Sequence, residues 1–322
     1  MGLVIGSIGE LLVEFVCAEK DGHNLVAAPY VGPFPSGAPG IFIDQAARVA
    51  ESFGGRAVFA GAVGDDAFGR VLLERLVADG VDPALIRLVA GVPTGSAFVS
   101  YNSDGSRDFV FNIAHSAASH LPSLEEIAAG FLTAGISVLH ISGSMLGDAA
   151  MRAVGLALCE RLVAQGVAIS IDPNIRAELI SDAGYLSALQ RIIAMADYVL
   201  PSDADAEVLY PGQDFTDWSG RLLAGAAKVV VLKRGDQGCV GRDATGSFSL
   251  PAHLVTVVDP TGAGDCFCAT LVTLSVAGEP LAKALARANA AGALAVQKLG
   301  PMEGNSSLAE IDAVNEQAMP AK

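Results

Sequence analysis

The sequence predicts an α/β protein: a mostly parallel central sheet covered by helices on both faces, with a small β-sheet lid beside it. Three observations carry that prediction. Short apolar strand candidates alternate with Ala/Leu-rich helical stretches over most of the 322 residues, the pattern of a parallel sheet buried on both sides. Apolar residues make up 52% and charged ones 17%, which excludes intrinsic disorder and leaves enough material for a large core. Finally, two stretches, 11–35 and 94–113, break the rhythm with alternating polar positions and the turn signals Asp21-Gly22 and Asp104-Gly105.

In chain order, strands are predicted at 2–8, 57–60, 136–141, 167–172, 197–200 and 228–233. Helices are predicted at 40–53, 66–79, 149–165, 183–194, 219–226, 265–277 and 281–297. The first strand is an apolar run that Glu10 interrupts, and no basic residues precede it, so it reads as a core strand rather than a signal peptide. The longest uncharged run, Ile127–Gly147, is long enough to span a membrane. Its four Gly, three Ser, Thr and His, with β-branched residues near Val138-Leu139-His140-Ile141, fit a helix, a turn and a buried strand better. The two irregular stretches fall between units of the main sheet and are expected to pair with each other. Residues 1–10, 36–93 and 116–322 then form the body, and 11–35 and 94–115 the lid.

Twenty Lys+Arg against 35 Asp+Glu give a net charge of −15, which repels phosphate backbones and anionic lipid. Nucleic acid and membrane surfaces are therefore excluded as partners. Cys17, Cys159, Cys239, Cys266 and Cys268 are odd in number, scattered and without a CxxC pair, so they read as reduced, buried thiols of a soluble cytoplasmic protein. Any anionic ligand must be held by a local set of backbone amides and a few cations.

Such a set stands at Val258-Asp259-Pro260-Thr261-Gly262-Ala263-Gly264-Asp265, ahead of the apolar helical run Cys266–Ala277. Two glycines and an alanine leave the backbone N–H groups uncovered. Those groups open a helix, where they lack intrahelical partners and the dipole favours an anion. Asp265 ends the loop beside that position. Amides that stabilise charge on a phosphoryl group, next to a carboxylate that takes a hydroxyl proton, suit phosphoryl transfer. A plain strand-to-helix turn with Asp265 as helix cap would use the same residue types; the full string opening a helix is the more specific reading. Other enzyme classes lack their marks: there is no GxGxxG after a strand, no Gly-Lys pair for a P-loop, no GxSxG and no metal-ligand spacing among the five histidines.

The string DPTGAGD resembles the C-terminal signature of the ribokinase-like (PfkB) family of carbohydrate kinases. Further segments follow in family order. Gly61 to Gly69 is similar to its G-x-x-G-x-D-x-x-G signature, Asp172-Pro173-Asn174-Ile175-Arg176 to the D-x-N-x-R segment of its 2-keto-3-deoxygluconate kinase and fructokinase branch, and Val231 to Gly238 to its nucleotide-site strand and loop. The resemblance runs from about residue 3 to 315. It implies a three-layer α/β sandwich with a lid, ATP and Mg²⁺ as cofactors, and a sugar as acceptor.

Carried onto this chain, the resemblance makes Asp265 the catalytic base, with Gly262, Ala263 and Gly264 as the anion hole. General-base help is worth about 10²- to 10⁴-fold in rate. A helix N-terminus lowers a carboxylate's pKa and weakens it as a base, whereas incoming phosphates push it back up. Asp259, Gly37 and Ala38 are expected at the sugar, with Asp44 a weaker candidate. Arg176 is expected near the sugar or the moving phosphoryl group. Lys233, Gly235, Gly238 and Asn289 are expected to line the ATP site. The family's N-x-x-E motif for Mg²⁺ waters falls on Ser202 and Asp205, a departure that lets Glu207 share the metal role with Asp205. A monovalent cation such as K⁺ is expected near Asp259, Thr261 and Ala295, and a homodimer through the lid follows by analogy.

For the substrate, the lid stretch Phe109–His115 offers Asn112 and His115 but no arginine at the position where acid-sugar kinases of the branch hold a carboxylate; Arg107 lies slightly too early unless the strand register shifts to bring it in. A neutral ketose is therefore favoured. The strings at 32–39, 106–118 and 300–312 are most similar to sequences called tagatose kinases. The alternatives are a 2-keto-3-deoxygluconate kinase and a sugar-binding protein that has lost catalysis.

Overall fold

A computed structural model describes residues 2–104, 106–176 and 182–318. Its main sheet has nine strands in the order β13-β12-β11-β10-β9-β8-β1-β4-β5. The centre is formed by β1 (Val4–Ile8), β4 (Arg56–Gly64), β8 (Val138–Ser142), β9 (Ala168–Asp172), β10 (Tyr198–Val199) and β11 (Val229–Lys233), all parallel. These six are the predicted strands, and β1 and β8 are buried at every position, as apolar strands without alternation should be. The sheet extends further than predicted, through β5 (Val81–Val89) at one edge and the antiparallel hairpin β12 (Cys239–Asp243) and β13 (Gly246–Leu250) at the other. Edge strands bury only part of each residue, so their sequences lack the apolar run, and β5 also carries Pro83.

Two apolar cores lie on opposite faces of this sheet. One packs α1 (Ala38–Ala50), α2 (Ala67–Ala78), α8 (Ala263–Val276) and α9 (Leu281–Ala295) against it; the other packs α3 (Leu124–Ala134), α4 (Ala149–Val163), α5 (Ala183–Met195) and α7 (Phe215–Leu223). The result is a three-layer sandwich. Helix α7 starts four residues before its predicted position, at Phe215, because Phe215 and buried Trp218 form its inward face. The short α6 (Asp203–Leu209) and the C-terminal α10 (Leu308–Ala318) were outside the prediction. No helix among the described residues is long and apolar enough to cross a membrane.

The two irregular stretches do meet in one sheet, β3-β2-β6-β7, built from β2 (Leu12–Cys17), β3 (Tyr30–Ser36), β6 (Gly95–Tyr101) and β7 (Arg107–Asn112). Strand β2 pairs with β6 in parallel, Leu12 opposite Gly95, and each forms an antiparallel pair on its other side. Of the turn signal at 104–105, Gly105 lies outside the described residues. This small sheet stands over the C-terminal ends of the central strands, where ligands of open parallel sheets bind.

Candidate active site

A cleft of about 920 Å³ lies between the small sheet and those strand ends. Glu10 enters it just past β1, Asp172, Asn174 and Arg176 at the end of β9, Lys233 at the end of β11, and Gly262, Gly264 and Asp265 where α8 begins. At this last point the chain must turn sharply. Gly262 has φ +84°, and a Cβ there would stand 2.4 Å from the Pro301 carbonyl, so only glycine fits. The first helical bond runs from Cys266 N–H to Gly262 O at 2.9 Å. The N–H groups of Ala263, Gly264 and Asp265 precede it and have no helical partner. A Cβ on Gly264 would meet only Lys233 Nζ, at 3.6 Å, so that ammonium group stands beside the loop.

Asp265 is 9% exposed, and its carboxyl is pushed up to about 7. Burial is the main cause; the charges of Asp172 and Glu10 add to it, while Lys233 and Arg176 oppose it. The expected lowering by the helix N-terminus is thus outweighed without any phosphate present. A carboxylate near 7 is well matched to taking a hydroxyl proton at neutral pH. Lys233 forms a buried ion pair with Asp172 and donates to Cys268 Sγ at 3.4 Å. Burial works against its charge, but Asp172 and its other neighbours outweigh that and keep it protonated.

Several expected residues take other places. Asp259 is fully buried and does not line the cleft; its carboxylate accepts from Tyr101 Oη, Thr261 N (2.9 Å) and Gly300 N (3.0 Å), so it braces the loop instead of facing a sugar. Asn112 and His115 are exposed and lie outside the cleft lining. Strand alternation explains this for Asn112: Arg107, Phe109, Phe111 and Ile113 share the parity that faces the cleft. Arg107 therefore enters the site, the outcome that a shifted register allows, and donates to Thr261 Oγ1 at 3.1 Å. Asp44 is buried away from the cleft, against Arg48, Arg75 and Asn305. Gly238 shapes the β12–β13 edge, where a Cβ would collide with Leu250 O at 2.0 Å, and Asn289 donates to Pro251 O at 2.7 Å; neither lines the cleft. Glu207 is exposed and outside it as well. Gly37 and Ala38 do line it, as do Gly235, Ser202 and Asp205. Ala263 does not line the cleft.

Ser202 and Asp205 close a capping box at the start of α6, and Asp205 also accepts from Ile175 N at 2.7 Å. The shorter acid thus ties the β9 end to α6. Among the described residues no three His, Cys, Asp or Glu side chains could cage a metal. A Mg²⁺ that arrives on phosphate oxygens with its own waters would need no such cage, and Ser202 and Asp205 would be the lining residues to hold it. A K⁺ near Asp259, Thr261 and Ala295 would share the Asp259 carboxylate with three donors and the Thr261 hydroxyl with Arg107.

Two site residues escaped the sequence reading. Glu14, on β2, is 3% exposed, lines the cleft and accepts from Ser36 Oγ at 3.3 Å; burial and the nearby Asp259 push its carboxyl up to about 7. Glu10 is 8% exposed and accepts from Ser144 Oγ at 2.6 Å. The available signal was two carboxylates inside an apolar strand region, where charge is rarely buried without a task.

Comparison with known proteins gives the class first: the chain is a sugar-phosphorylating transferase. The model of the pfkB family carbohydrate kinases matches residues 7–308, and the chain belongs to that family. The fructokinase-1 of Oryza sativa subsp. japonica is 33% identical over 309 residues, covering 92% of this chain and 93% of its own length. The fructokinase of Klebsiella pneumoniae is 34% identical over 278 residues, or 83% and 87% of the two chains. An E. coli protein crystallised under the name Ribokinase II, in complex with ATP and Mg²⁺, superposes with a TM-score of 0.90 at 36% identity, over 98% of this chain and 100% of that one.

Proposed function

We propose that the chain transfers the γ-phosphoryl group of ATP to a primary hydroxyl of a neutral, fructose- or tagatose-like ketose. The observation that carries this reading is the buried Asp265, poised near 7, at a helix start whose first amides lack helical partners and beside which Lys233 stands. Asp265 takes the hydroxyl proton as the oxygen attacks. The amides of Ala263 to Asp265, with Lys233 and Arg176, hold the charge of the transferring group. ATP brings Mg²⁺, which neutralises part of the triphosphate charge, and Ser202 and Asp205 stand on that side of the cleft. The small sheet acts as the lid, excluding water that would otherwise waste ATP. The relatives named fructokinase support the ketose.

Arg107 favours a second reading, an acid sugar, because it places a cation in the cleft. The buried Glu10 and Glu14 argue the other way, since they would repel a substrate carboxylate. A panel of fructose, tagatose and 2-keto-3-deoxygluconate with Mg·ATP separates the two. ADP release driven by a ketose supports the proposal; release driven only by the acid sugar, or by none, overturns it.

A further inference from the structure

Glu10 has an oxygen that the fold leaves unused. Its Oε1 accepts from Ser144 Oγ, which is 3.0 Å from Ser142 Oγ, which in turn accepts from Asn174 Nδ2 at 3.2 Å. Each hydroxyl has one proton to give, and Ser144 gives its own to Glu10, so Ser142 must donate to Ser144. The direction of the string is therefore set, with every donor pointing toward Glu10. Asn174 N–H bonds Asp172 Oδ1 at 3.2 Å, and Asp172 holds Lys233, so the string links Glu10 to the cation beside the anion loop. Asn174 adopts φ +38°, a left-handed conformation that asparagine tolerates better than most residues.

The other oxygen, Oε2, is buried and has no hydrogen-bond partner among the described residues, although Glu10 lines the cleft. A buried polar atom left unpaired is costly, and such atoms in native proteins call for a reason. We propose that Glu10 contacts the sugar: its Oε2 hydrogen-bonds a hydroxyl of the ketose beside Asp265, while Ser144, Ser142 and Asn174 hold the carboxyl in place. This rests on the sugar-kinase reading above. Burial raises the Glu10 carboxyl from its ordinary value. Because Oε1 already accepts from Ser144, any proton resides on Oε2, which then donates to the sugar oxygen; when ionised, Oε2 accepts from the same hydroxyl. A substrate without a hydroxyl there leaves the atom orphaned, so the residue discriminates among sugars.

The test is steady-state kinetics of wild type, Glu10→Met, Glu10→Gln and Ser144→Ala with Mg·ATP, the preferred ketose and its monodeoxy analogues. Glu10→Met should raise the ketose KM by about 10- to 100-fold, the range for losing a hydrogen bond to an ionisable group. The ATP KM should stay within about 2-fold, because the nucleotide does not depend on that contact. Glu10→Gln keeps polar atoms at both positions and should recover most of the loss, and Ser144→Ala should give a smaller rise. For one deoxy analogue, the wild type and Glu10→Met should become equal. A ketose KM within 2-fold of wild type in Glu10→Met, or an equal loss for every analogue, overturns the proposal. Should Glu10→Met fail to fold, Ser144→Ala decides: a rise in ketose KM with an unchanged ATP KM supports the proposal, and a ketose KM equal to wild type overturns it. If the wild type turns over no ketose, the proposed ketose substrate fails instead, and ketose-induced thermal shifts of wild type and Glu10→Met still show whether Glu10 binds sugar.

Discussion

Replacing Asp265 with Asn should destroy turnover and, at the same time, make the protein more stable. Its carboxyl, lifted from an ordinary 3.8 to about 7, has a charged form that the fold penalises. Such a displacement corresponds to on the order of 4 kcal/mol, an upper figure for a group this buried. The sign follows from linkage. A folded-state pKa above the unfolded value means the native state holds the extra proton, so wild-type stability falls as pH rises from about 4 to about 7 and is level beyond. Asparagine carries no such charge. Asp265→Asn should therefore match wild type near about pH 4 and exceed it by a few kcal/mol at about pH 8, a rise in Tm of several degrees. Thermal unfolding across that pH range measures the stability, and coupled ADP detection measures turnover, which should fall by about 10²-fold or more. An Asn variant no more stable than wild type at the higher pH would refute the buried, strained carboxylate. Near-normal turnover would remove Asp265 from the chemistry.

Three other substitutions read the loop around it. At Gly264 a Cβ would meet only Lys233 Nζ, so Gly264→Val should keep the fold with Tm within a few degrees while the side chain crowds the anion loop and turnover drops by about 10²-fold; kinetics beside a melting curve decide. Gly262→Ala should do the opposite first, losing about 1–3 kcal/mol of stability, because φ +84° and the Pro301 carbonyl exclude a side chain. Tyr101→Phe takes a donor from buried Asp259 and should cost about 1–3 kcal/mol in thermal unfolding; an unchanged Tm would show that Asp259 does not depend on the small sheet.

The parts of this site that were legible in the sequence are those where a local string dictates geometry. The run from Asp259 to Asp265 implies its own bend and helix start, and the buried central strands announce themselves as unbroken apolar runs. What the sequence hid depends on register and on edges. Whether Arg107 or Asn112 faces the cleft is a matter of strand parity, which pairing with β6 decides. Strands β5, β12 and β13 are half-exposed, so their composition resembles that of loops. Glu10 looked like an interruption of a strand, because nothing adjacent in sequence shows that Ser144 waits 134 positions away. Asp259 likewise sits within the recognisable string, yet its partner Tyr101 comes from the small sheet, and that contact turns a supposed sugar ligand into a brace.

The pH dependence of kcat/KM for the ketose tests the role of Asp265 most directly. If this carboxylate takes the hydroxyl proton, the wild-type profile should rise tenfold per pH unit up to an apparent pKa of about 7 and then level off, and the residual activity of Asp265→Asn should lack that limb. A wild-type profile flat across that range, or a limb that persists in the Asn variant, would assign the proton to another group.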